Sequence, residues 1–125
     1  MQRQASRDTS LELELRRLLH SRGLRFRVHR RVLPDVRRYH DIVFGPSKTA
    51  VSTVGCWWHG CALHFRPPTA NAGWWIEKIE RNRARDQDTL ERMNEIGWHL
   101  EVVWEHDNLV DATDRIERIV QERRP

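Results

Sequence analysis

Two cysteines and two histidines fall within nine residues at the middle of the chain, spaced Cys56-x-x-His59-x-Cys61-x-x-His64. Gly55 and Gly60 interrupt regular structure there and Pro67-Pro68 blocks it just beyond, so the periodic segments on either side must be joined by a compact knuckle. Thiolate and imidazole are the ligands that structural zinc takes. The N-terminal MQRQASRDTS carries no signal-peptide core, and without secretion a cysteine pair reads as metal-binding before it reads as a disulfide. One short segment rarely supplies all four tetrahedral ligands. His106, just past a strand pattern, is the best fourth candidate. The competing reading is a pair of reduced structural cysteines beside polar histidines.

Around the knuckle the apolar periods alternate. Thr9 and Glu12 form a capping box, Leu11, Leu15, Leu18 and Leu19 share one helical face, and Gly23 offers the left-handed stop. Leu24-Arg-Phe-Arg-Val28 alternates as a half-buried strand, and His29 to Arg38, with Pro34-Asp35, reads as a loop. Tyr39 to Phe44 and Thr49 to Val54 read as strands joined by the turn Gly45-Pro46-Ser47-Lys48. A long helix is predicted over 71–96, stopped by Gly97. Trp98 to Trp104 alternates and is expected to be a central strand, with Trp98 and Trp104 in the core. A last amphipathic helix covers about 109–123. The expected architecture is α/β: a small mixed sheet flanked by helices, with the knuckle inserted. At 125 residues the chain fits one domain, 1–125.

No apolar run approaches the ~18 residues of a membrane span, so neither a membrane nor a secreted protein is expected. Lys and Arg number 22 against 18 acidic residues, a net charge of +4, which permits nucleic-acid binding. Lys48 and Lys78 are the only lysines and the other twenty basic residues are arginines, a bias that suits bidentate phosphate contacts and also follows from a GC-rich genome. Six tryptophans include two adjacent pairs, Trp57-Trp58 and Trp74-Trp75. Neighbouring side chains cannot share one face, so a ring of each pair is expected at an interface.

Asp41 stands inside a strand pattern, where a carboxylate is unfavourable. It is either a solvated edge residue or a magnesium ligand with Glu12 of the first helix as an outer partner.

Taken together, these segments resemble the very short patch repair (Vsr) endonucleases. The resemblance runs through Ser6-Arg-Asp-Thr9, Leu24 to Val28, Arg38 to Phe44, Trp75-Ile-Glu-Lys-Ile-Glu-Arg-Asn82, Arg85-Asp86, Gly97-Trp98 and Val103-Trp-Glu105. Its most specific part is Gly55-Cys-Trp-Trp-His-Gly-Cys61, similar to the family's GCFWHGC. It implies a restriction-endonuclease-like three-layer fold and a strand-specific nick on the 5′ side of the thymine in a T·G mismatch in double-stranded DNA, a DNA-repair activity. By position, Asp41 and the backbone carbonyl of Thr53 would bind catalytic Mg2+, Glu12 would act through water in the outer shell, and His59 would be the general base or water-orienting group. Cys56, Cys61, His64 and His106 would bind structural Zn2+. Trp57, Trp58 and Trp75 would wedge beside the mismatch, and Lys78, Arg81, Asn82 and Arg85 would line a helical face toward phosphates. A monomer on DNA in the cytoplasm, at the nucleoid, is expected, with a cytosine methyltransferase and mismatch-repair proteins as partners.

Three departures bear on this expectation. Val54 precedes Gly55-Cys56 where the family commonly has His or Asp, and valine can neither ligate a metal nor move a proton. His40 and Ser52 also replace the usual residues; His40 could supply a polar group, but a strand neighbour of Asp41 points to the opposite face. Family members usually have a further basic segment before the position of Met1, and weaker DNA binding is expected without it. The rival readings are a catalytically impaired mismatch or modified-DNA binding protein of this fold, and a restriction-like nuclease with another target.

Overall fold

The leucine stripe of the first segment forms helix α1, Ser10–Ser21, in a computed structural model that describes residues 10–54 and 70–124. Gly23, at φ +77°, ends it: the Leu24 N–H donates to the Leu19 carbonyl and the Gly23 N–H to that of His20. This Schellman pattern needs a left-handed residue, which glycine adopts without cost. Thr9, and with it the expected capping box, lies outside the described residues.

The chain then forms β1 (Arg27–Arg31), β2 (Tyr39–Phe44) and β3 (Thr49–Val54), followed by helix α2 (Ala72–Glu95), β4 (His99–Trp104) and helix α3 (Leu109–Arg123). Among the described residues these make one mixed sheet in the order β1-β2-β3-β4, antiparallel except for the parallel β3–β4 pair. The bounds of β2, β3 and α3 match the sequence reading. β1 does not: it starts at Arg27 rather than Leu24 and takes in residues read as loop. Leu24 and Phe26 do pack on the core, but pairing begins only where β2 supplies partners, from Arg27↔Val43 to Arg31↔Tyr39. β4 was expected to be central; its only neighbour among the described strands is β3.

The two faces bury two clusters. Ile42, Phe44, Val51 and Val103 meet Leu15 and Leu19 of α1 and Ala112, Ile116 and Val120 of α3. Val43, Ala50 and Leu100 meet Leu33, from the segment between β1 and β2, and Met93 of α2, with Trp98 and Val102 packed alongside. Helices therefore cover both faces, giving three layers. Arg38 fixes the loop before β2 to α2 through Asp88 at 2.6 Å and Thr89 at 3.0 Å. Among the described residues no helix is long and apolar enough to cross a membrane.

Candidate active site

Strict alternation along β2 would put Asp41 on the α2 face with Val43, and His40 on the α1 face with Ile42. The structure does the reverse. His40 is buried on the α2 side, where Nδ1 stands 3.3 Å from the Ser52 hydroxyl, while Asp41 meets Thr53 and α1. The alternation breaks between Asp41 and Ile42. The β1–β2 ladder pairs Val28 with Ile42 and Arg30 with His40, stepping over His29 and Asp41 between them. His29 has φ +52°, a left-handed conformation that costs a non-glycine residue roughly 1–3 kcal/mol. At this one step the face exchanges, and Asp41 arrives beneath α1.

Three elements then converge. Glu12 from α1, His29 from β1 and Asp41 from β2 each offer a ligand atom, all within 4.8 Å of one another. Glu12 is only 1% exposed. Burial, and next the nearby Asp41 carboxylate, raise its pKa above the usual glutamate value, while Arg16 and His29 pull the other way. Arg16, one helical turn on, bridges Glu12 and His29: its guanidinium pairs with Glu12 and lies 3.0 Å from His29 Nε2, itself 3.0 Å from Glu12 Oε2. Asp41 is held from the other side, its Oδ2 accepting from the Thr53 backbone N–H at 2.7 Å and the Thr53 hydroxyl at 2.9 Å.

The structure thus brings Glu12, Asp41 and Thr53 together and adds His29 and Arg16, which the sequence reading passed over. Arg16 was legible as an i,i+4 partner of Glu12. His29 becomes legible only once the register of β1 on β2 is known. His59, Cys56, Cys61, His64, Trp57 and Trp58 lie outside the described residues. His106 follows β4 and stacks on Trp104, with ring centroids 6.0 Å apart. Val54 lines a cavity of about 900 Å³ between the sheet and α2, together with His40, Ser52, Arg85, Trp104 and His106. Trp104 therefore lines a cavity rather than filling the core. Trp75 is half-buried, whereas Trp74 is 52% exposed with Lys78 Nζ 5.8 Å from its ring centroid. Arg81 and Arg85 are exposed, and Asn82 is half-buried.

Two carboxylates and an imidazole gathered from a helix and two strands define a site suited to a divalent cation. Clustered carboxylates, one of them buried and raised in pKa, are the anionic environment that a cation relieves. The model of the family described as DNA mismatch endonuclease Vsr matches residues 1–64. The type II nicking enzyme V.XorIIP of Xanthomonas oryzae pv. oryzae is 41% identical over 106 residues, 84% of this chain and 76% of that protein. The DNA mismatch endonuclease Vsr of Escherichia coli is 37% identical over 122 residues, 90% of this chain and 76% of that one. The type II nicking enzyme V.NaeI of Lentzea aerocolonigenes is 39% identical over 114 residues, covering 90% and 69%. The chain belongs to the Vsr family of DNA mismatch endonucleases. It is a DNA endonuclease with a part in DNA repair.

Proposed function

We propose that this single-domain protein nicks double-stranded DNA at T·G mismatches, hydrolysing the phosphodiester 5′ of the mismatched thymine with Mg2+. The observation that carries the reading is the placement of Asp41, turned out of its strand alternation, fixed by Thr53 and set beside buried Glu12. A bound divalent cation would supply positive charge to the scissile phosphate and favour ionisation of water. Asp41 and the Thr53 carbonyl would hold it, Glu12 would orient the attacking water, and His59 would accept the proton. Cys56, Cys61, His64 and His106 hold structural Zn2+ in this reading.

Trp57, Trp58 and Trp75 wedge beside the mispair, and Lys78, Arg81, Asn82 and Arg85 meet phosphates. A mispaired step opens at less cost than a matched one, which makes wedging itself selective. The protein acts as a monomer at the nucleoid in the cytoplasm, with a cytosine methyltransferase creating the lesions' precursors and mismatch-repair proteins as further partners. Val54 lines the α2-side cavity, on the sheet face opposite Thr53, so its lack of a polar group does not disturb the Asp41 cluster directly.

The test is a nicking assay on paired T·G and C·G duplexes, with Mg2+ and with chelator, at stated low salt. A Mg2+-dependent nick beside the mismatched thymine is expected. Tighter binding to T·G without a nick would instead favour the catalytically impaired binding protein, and cleavage without regard to the mismatch would favour a nuclease with another target.

A further inference from the structure

We infer that His29 is a direct ligand of the catalytic cation, so that the site is a mixed carboxylate–imidazole centre rather than a purely oxygen-lined one. The inference rests on the reading of Asp41 as a metal ligand and adds to it the donor atom that the β1–β2 ladder brings opposite. His29 and Asp41 occupy the one step that the ladder omits, between Val28↔Ile42 and Arg30↔His40. Both side chains leave the pleat together and meet Glu12, and the three ligand atoms lie within 4.8 Å of one another. A histidine that merely packed against the sheet would keep the alternation; this one takes a left-handed backbone at φ +52° and turns its ring to the two carboxylates.

Arg16 gives the second observation. Its guanidinium bridges Glu12 and His29, lying 3.0 Å from Nε2, so a positive charge already stands between two of the three donors. The same ring nitrogen lies 3.0 Å from Glu12 Oε2, so Nε2 is the atom that His29 turns into the cluster. A cation held by Asp41 and His29, with Glu12 beside it, replaces this charge, and Arg16 then swings to solvent or to a phosphate of the substrate, for which a planar guanidinium is suited.

The chemical consequence is selectivity. Carboxylate oxygens serve Mg2+ and Mn2+ alike, whereas an imidazole nitrogen favours the transition ion. The site therefore prefers Mn2+ to Mg2+ by more than an oxygen-only site does, and the excess belongs to His29.

The experiment uses the full chain and Mn2+ as the probe. Mn2+ affinity is titrated by the loss of the free-ion EPR signal, with Mg2+ as competitor, and pulsed EPR looks for hyperfine coupling to a directly bonded nitrogen. Wild type is compared with His29→Gly, which suits the left-handed backbone, and His29→Asn, which tolerates it and offers no nitrogen ligand of this kind. The expected result is a nitrogen coupling in wild type that both variants lose, with Mn2+ affinity falling ~10-fold or more and Mg2+ affinity changing much less. A coupling that persists in both variants, or is absent from wild type, overturns the inference. Asp41→Asn separates the two levels: if it abolishes Mn2+ binding while the His29 variants bind as wild type, His29 is no ligand and the Asp41 reading stands. If Asp41→Asn binds Mn2+ as wild type does, the reading beneath the inference has failed.

Discussion

A single oxygen of Asp41, Oδ2, is held by one residue twice over, accepting both the backbone N–H and the hydroxyl of Thr53 at 2.7 and 2.9 Å. Thr53 lies on β3 and Asp41 on β2, so the bond pair crosses from strand to strand where the regular β2–β3 ladder, running from Ile42↔Val51 to Phe44↔Thr49, does not extend. It replaces the ladder at the point where Asp41 has changed face.

The Asp41 charge and the Thr53 hydroxyl are separable by mutation. Asp41→Asn removes the charge and should lower nicking by more than ~10²-fold while T·G binding stays near wild type. Thr53→Val removes only the hydroxyl, keeps the shape and leaves the N–H bond in place. Its effect should be the ~10-fold loss typical of a group that orients a ligand. Single-turnover nicking rates with binding isotherms check both, and equal losses in the two variants would refute the division of roles.

Glu12 costs the metal-free fold stability at neutral pH. Its folded pKa is raised, chiefly by burial and then by Asp41. The unfolded chain ionises Glu12 near its ordinary value of 4.5, whereas the fold holds the proton to higher pH and, above its own raised value, bears a carboxylate that is worse placed than in water. In chelator, Glu12→Gln should therefore melt higher than wild type at pH 7. Its advantage should shrink as pH falls through the raised folded value and disappear below the ordinary one, where both proteins carry a neutral group. The same variant should nick poorly. Thermal melts from pH 4 to 8 test the sign, and a variant that melts lower at pH 7 contradicts it.

What was legible in the sequence, and what was not, divides along the range of the interactions. β2 and β3 were read to the residue because Gly45-Pro46-Ser47-Lys48 closes the turn locally, with Lys48 donating to the Gly45 carbonyl at 3.0 Å. Gly23 and Gly97, both at positive φ, marked the ends of their helices for the same local reason. β1 was misplaced because the alternation of Leu24 to Val28 reports packing on the core, whereas strand pairing depends on where a partner begins. Glu12 and Asp41 drew notice as residue types out of place. His29 gave no such sign: its importance lies in standing opposite Asp41, a fact of register, and in a backbone turn that no local pattern of apolar residues encodes.

His40 makes the opposite pH demand. It is 1% exposed, Nδ1 faces Ser52, and Nε2 is buried without a hydrogen-bond partner among the described residues. Burial lowers its pKa, with Asp41 opposing the shift only in part. The folded chain therefore keeps the ring neutral while the unfolded chain takes up a proton near the ordinary value of 6.5, so stability is lost as pH falls below that point. His40→Leu should flatten the metal-free stability profile between pH 7 and 5. Carboxylates and the other histidines titrate in both proteins, so the difference between the two profiles isolates His40. Parallel profiles would show that it is not the group responsible.

Trp74 and Trp75 open α2 as neighbours with different fates. Their rings meet edge to face at 4.7 Å and 85°, Trp75 half-buried and Trp74 52% exposed beneath the Lys78 ammonium. An exposed indole under a cation, at the start of a helix rich in arginine, combines the two features that hold nucleic acid: a stacking platform and a phosphate contact. Trp74→Ala should weaken DNA binding by about 1–3 kcal/mol, the range for losing one stacked base, and change stability by under ~0.5 kcal/mol as an exposed site does. Trp75→Ala should lose more stability, because its ring is partly packed. Lys78→Gln should reduce the salt dependence of binding by about one phosphate contact, equally for T·G and C·G duplexes. Affinities measured across a salt series on both duplexes distinguish these effects. If Trp74→Ala leaves affinity unchanged on each, the exposed ring is a surface feature and the half-buried Trp75 carries whatever contact this end of α2 makes.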